Sequence, residues 1–113
     1  MIYTPKSKLT WDDPTTWDDG TPIAESDITG YYLHFGTVSG VYTIKHFVPN
    51  TEPDEALLGN VPGLTHGSWF SNVSTVAKVP GTTFEVEGSV MPTELQIDYV
   101  DTLPNPPTNF TIV

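Results

Sequence analysis

The sequence predicts an all-β domain built as two packed antiparallel layers, and three features predict it. Apolar and polar residues alternate at period two in several short runs, the pattern of a strand with one face on a core. Eleven Pro and nine Gly cut the 113 residues into segments of strand length. No window sets apolar residues at helical spacing between credible caps, so no helix is expected.

Taken in order, Lys8 to Trp11 is a short β-prone run that stops at Asp12-Asp13-Pro14. The echo WDDPTT at 11–16 and WDDGTP at 17–22 is turn chemistry, Asx side chains bonding nearby backbone while Pro and Gly set the dihedrals; it reads as one elaborate loop. Ile28 to Phe35 alternates with Tyr31, Leu33 and Phe35 on one face and Tyr32 and His34 on the other. After a turn at 36–40, Val41 to Val48 is the next strand, followed by an acidic loop over 51–55 and the brief apolar run Ala56-Leu57-Leu58. Ser68 to Val79 is the central strand; Trp69, Val73 and Ala77 compete with Phe70 and Val76 for its inner face. Thr82 to Glu87 and Leu95 to Val100 alternate again, and Pro104 to Pro107 stiffens the chain before a last strand at Thr108 to Val113.

Fourteen acidic against four basic residues give a net charge of −10. Phosphates would be repelled, so no nucleic-acid partner is expected. The same charge disfavours an anionic membrane surface, and no stretch nears the roughly 20 apolar residues needed to span one. No signal peptide is expected in Met1 to Lys8, which holds no apolar run. With no cysteine there is no disulfide, and thiol chemistry is excluded.

Catalytic motifs are missing: His34, His46 and His66 have no G-x-S-x-G, H-E-x-x-H or phosphate-loop partner. His34 and His46 fall on adjacent candidate strands and could face each other, but zinc requires a third protein ligand. Asp12, Asp13, Asp18 and Asp19 form the densest carboxylate cluster, without the spacing of a calcium loop. Turn formation is their expected role. No catalytic, metal or cofactor site is therefore assigned. Trp17, Tyr32 and Tyr42 are the aromatics a sugar could stack on, and a host surface glycan is a possible partner on that account. The sequons at Asn72 and Asn109 arise easily by chance in a Thr-rich chain.

Leu9-Thr10-Trp11-Asp12, Asp19-Gly20-Thr21-Pro22-Ile23 and Ile28 to Gly36 resemble the first half of a fibronectin type III domain. Gly63-Leu64-Thr65-His66-Gly67-Ser68-Trp69-Phe70 resembles the approach to its sixth strand, and the likeness covers roughly residues 8 to 77. It implies an immunoglobulin-like antiparallel β-sandwich with Trp11 in the core and Tyr31 opening the third strand. The sequence departs where the family has its tyrosine corner, since Trp69 or Phe70 brings no phenolic hydroxyl to bond back to the chain. About thirty residues then replace the usual ending, so the C-terminal edge is expected to be elaborated. The organisation is a sandwich over 1–103 and a Pro-rich arm with a terminal strand over 104–113. That arm resembles the family's opening strand, which belongs before Leu9. It would fold back into its own sandwich or pair with a neighbour, and Pro106, Pro107, Phe110, Ile112 and Val113 are the expected partner-binding residues.

The function expected from this resemblance is non-catalytic and structural. The first expectation is a virion protein of a tailed bacteriophage (tail, fibre, collar or capsid decoration), held by neighbouring virion proteins or copies of itself. The alternative is a carbohydrate-binding or spacer module of a secreted, extracellular bacterial protein.

Overall fold

Alternation in Ile28–Gly36 produces the strand on which the others assemble. Tyr31, Leu33 and Phe35 are buried on one side of it, while Tyr32 and His34 are half-buried on the other. The computed structural model describes residues 2–51 and 53–113; Met1, and Glu52 of the acidic loop, lie outside the described residues. In chain order the strands are β1 (Ile2–Tyr3), β2 (Lys8–Thr10), β3 (Ile28–Gly36), β4 (Ile44–Pro49), β5 (Glu55–Leu57), β6 (Gly67–Lys78), β7 (Glu85–Glu87) and β8 (Leu95–Tyr99). Two short 3₁₀ turns, Glu25–Asp27 and Leu58–Asn60, complete the regular structure. The all-β expectation holds.

The larger sheet runs β1-β8-β6-β3-β4, with β7 attached to the far end of β6. Every pairing is antiparallel except that of β1 with β8. Strand β6 is twelve residues long and no single neighbour matches it: β8 pairs with Gly67–Ser71 and β7 with Val76–Lys78. Asn72 bridges the interval. Its side-chain amide donates to the Met91 carbonyl at 2.9 Å and accepts the Met91 N–H at 3.0 Å, as a ladder residue would.

The second layer is only β2 paired with β5. Leu9, Trp11 and Ala56 pack from that side onto a buried cluster that includes Leu33, Phe35, Trp69, Ile97 and Tyr99, with Leu58, Val61 and Leu64 from the 58–64 connection. Trp11 meets the buried Tyr31 ring edge-on at 5.3 Å. A well-packed aromatic pair of this kind is worth about 1 kcal/mol beyond its area.

Several expectations need correction. Strand β4 starts at Ile44 because Val38 and Val41 close a tight turn instead, and a Cβ on Gly36 would overlap the Val41 carbonyl. The contest for the inner face of β6 is settled by the register: Trp69, Ser71 and Val73 pair with inward positions, and a slip at Ile28/Gly30 lets Val76 and Ala77 both be buried. Phe84 and Val86 alternate as expected but stay exposed, because β7 hooks onto β6 beyond the two-stranded cover. The back-bond expected to be missing is made by a different group: the Trp69 indole N–H donates to the Thr65 carbonyl at 2.7 Å. Residues 108–113 form no strand and are exposed, so the arm does not fill the first-strand place of its own sandwich.

Leu33 is 2 % exposed at the centre of this cluster. Leu33→Ala should lower unfolding free energy by about 2–5 kcal/mol in chemical denaturation. A loss under about 1 kcal/mol would mean the two layers do not meet there.

Candidate functional site

Three surfaces outside the core carry the residues of interest. The first is the arm. Its Pro-rich start favours an extended, semi-rigid backbone, and residues 101–113 are exposed throughout. Phe110 and Ile112 are 99 % and 100 % exposed, and Pro106, Pro107 and Val113 are exposed with them. The molecule measures 73 × 29 × 21 Å with a radius of gyration of 18.0 Å. A compact chain of this length would have a radius near 13 Å, so the arm stands clear of the body. Asn109, at φ 58°, interrupts it, leaving Phe110–Val113 as the terminal apolar run. No charged residue follows Asp101.

The second surface is a groove along the open side of the body. Because the covering layer has two strands, nothing among the described residues pairs with β2 opposite β5. A cavity of about 190 Å³ lies there, between Leu9 and Trp11 on one wall and Val73, Met91 and Leu95 on the other. No charged side chain lines it, although the chain carries −10. Met91 and Leu95 are more than half exposed. Trp11 also presents a buried indole N–H with no acceptor among the described residues.

The third is the outer face of the larger sheet, where β3, β4, β6 and β7 meet. The Lys45 ammonium sits 4.2 Å from the Tyr32 ring centre and 2.5 Å from Glu87 Oε1. Glu87 Oε2 accepts from the Ser74 hydroxyl at 2.5 Å and lies 3.2 Å from His34 Nε2, which is 3.0 Å from Ser74 Oγ. Ser, His and Glu together invite comparison with a hydrolase triad, but the geometry is different. A relay needs nucleophile and acid on opposite ring nitrogens, whereas Ser74 and Glu87 both approach Nε2. The cluster ties β7 to β3 and β4. Burial, chiefly, holds His34 below the usual histidine range, against the opposing pull of Glu87. Burial acts to raise Glu87, but hydrogen bonds from Lys45 and Ser74 outweigh it and bring the carboxyl below its ordinary value.

Compared with protein-family models, with curated proteins and with solved structures, the chain matches none.

The remaining sequence candidates are dispersed. His34 and His46 do not face each other: in the β3–β4 register His34 opposes Lys45 and His46 opposes Leu33, which puts the two on opposite faces. His66 lies elsewhere, 3.3 Å from Asp101. Among the Asp cluster, Asp13 accepts from the Tyr31 hydroxyl, and Asp19 caps Thr21 in an Asx turn at 3.0 Å. Asp54 Oδ2 is 3.5 Å from the same phenol. Burial first, then Asp13 and Asp54, push the Tyr31 phenol far up, so it remains a donor at any ordinary pH. No group of three His, Cys, Asp or Glu side chains gathers among the described residues. Asn72 spends its amide inside the fold, which removes that sequon from consideration. No helix among the described residues is long and apolar enough to cross a membrane. Sequence reading missed the groove altogether; the unpaired edge of β2 is a property of topology.

With a folded-state pKa below that of the unfolded chain, His34 contributes stability that is present above about pH 6.5 and is lost as pH falls through its lower value. Stability measured from pH 7 to 5 should therefore decline. Glu87→Gln removes the group that opposes the shift, so an NMR titration should place His34 lower still; an upward move would contradict this wiring.

Proposed function

We propose that the chain is a fibronectin type III-like β-sandwich acting as a non-catalytic structural module, which assembles through its C-terminal arm. The observation that carries this reading is the arm: an uncharged, apolar segment projecting from an acidic body, with Phe110 and Ile112 almost wholly in water. Exposed apolar side chains clustered on a projecting segment mark an interaction site more often than a solvated surface. The strand order supports the sandwich type, because β3, β6 and β8 lie adjacent as the third, sixth and seventh strands of immunoglobulin-like sandwiches do. The segment carrying β7 is then an insertion between the last two of these, the elaborated edge. Trp69 takes the corner position with an indole N–H in place of a hydroxyl.

The setting that suits such a module is the virion of a tailed bacteriophage, with copies of itself or neighbouring virion proteins as partners. A sugar-binding role has less support at Tyr32, which packs edge-on against Phe47 at 5.3 Å and carries Lys45 over one face.

Removing residues 104–113 should leave the far-UV spectrum and unfolding free energy of the body within about 0.5 kcal/mol of the full chain. Sedimentation should show concentration-dependent association for the full chain and a monomer for the shortened one. Identical sedimentation of the two would exclude the arm as the assembly element.

A further inference from the structure

We infer that the arm has a specific receptor on a second copy of this chain: Phe110–Val113 adds as a third strand to the free edge of β2, completing the thinner layer. This rests on the assembly reading above and says where the arm goes.

The β2–β5 register pairs Leu9 with Ala56. In it, Trp11 N–H donates to the Asp54 carbonyl and Leu58 N–H donates to the Ser7 carbonyl. Residues 7, 9 and 11 therefore direct their backbone groups toward β5. By the alternation of an antiparallel ladder, Lys8 and Thr10 direct theirs the opposite way, to the unpaired edge. That edge is a ready template for a strand.

The side chains next to it select which strand. The groove beside β2 is apolar and lined without charge, and the one charge on β2, Lys8, is paired with Glu55 of β5 at 3.3 Å, whereas β7 presents Glu85 and Glu87 and β4 carries Lys45. In a chain of net charge −10, the arm is the segment whose side chains bring no charge to the groove. Lengths agree as well: four residues span about 13 Å, matching the three-residue β2 and its continuation to Trp11. Strand alternation puts Phe110 and Ile112 on the groove side and Thr111 and Val113 outside. A cavity near 150 Å³ accommodates a benzene-sized group, so about 190 Å³ receives the Phe110 ring. Within its own molecule the arm leaves from the far end of β8 and stays clear of this groove. A second copy is therefore the donor.

The native chain has no cysteine, which allows a clean cross-link. The full-length double variant Thr10→Cys, Thr111→Cys, oxidised at a concentration where the chain associates, should give a covalent oligomer. Its yield should exceed by at least ten-fold that of Phe47→Cys, Thr111→Cys, which places the acceptor on the β4 edge. Ile112→Asp, a change in the exposed arm that cannot unfold the body, should weaken self-association at least ten-fold. If arm removal abolishes association yet the cross-link forms at Phe47 and not at Thr10, the assembly reading stands and the β2 receptor is wrong. An intramolecular disulfide, or no cross-link with Thr10, overturns the inference directly.

Discussion

The whole arrangement depends on a mismatch in extent between two layers. Strand β6 is twelve residues long and buries side chains along most of its inner face, while the layer above it consists of two strands of three residues. Hydrophobic burial is proportional to area removed from water, so the uncovered part must be closed by other means. Two connections do this: Pro5 under Gly59, and the 58–64 segment with Leu58, Val61 and Leu64. What they leave open is the groove beside β2 and a cavity of about 590 Å³ between the 14–23 loop and β6–β7.

The same mismatch explains where polar groups are spent. Asn72 stands where β8 has ended and β7 has not begun, and its amide replaces a missing strand partner. Glu94 accepts from Ser39, from Tyr42 at 2.6 Å and from the Gly40 N–H at 3.2 Å, fastening the inserted segment to the β3–β4 turn. Those bonds, Ser39 foremost, hold its carboxyl below the ordinary range. Glu87 does the equivalent on the outer face. The acidic composition thus has an internal use: carboxylates pin an elaborated edge that apolar packing alone does not hold, as the exposure of Phe84 and Val86 shows.

The long strands were legible in the sequence because period-two alternation persists there: Tyr31, Leu33 and Phe35 on β3, then Ile97 and Tyr99 on β8, are buried as read, whereas Leu95, read on the same face as Ile97 and Tyr99, is 55 % exposed. The loop at 11–22 was legible from Asp, Pro and Gly chemistry. Two residues cannot display a period, so β1 and its parallel pairing with β8 were invisible. Alternation in Thr82–Glu87 showed a face that is half apolar without showing whether anything covers it. The Trp69 back-bond was missed because the search was for a hydroxyl, when any donor at that position serves. As for the candidate site, the arm residues were singled out by their resemblance to a fibronectin type III opening strand; the groove was not, since an edge without a partner leaves no mark on the residues that line it.

Completion of the thin layer by a neighbour's arm is most directly tested at one backbone amide, Thr10 N–H. In dilute solution it should exchange with solvent quickly, as an unpaired edge group does. Raising the concentration of the full chain should slow it by at least ten-fold, with no such change after removal of residues 104–113. A Thr10 amide equally protected at every concentration, or equally labile, would contradict the account.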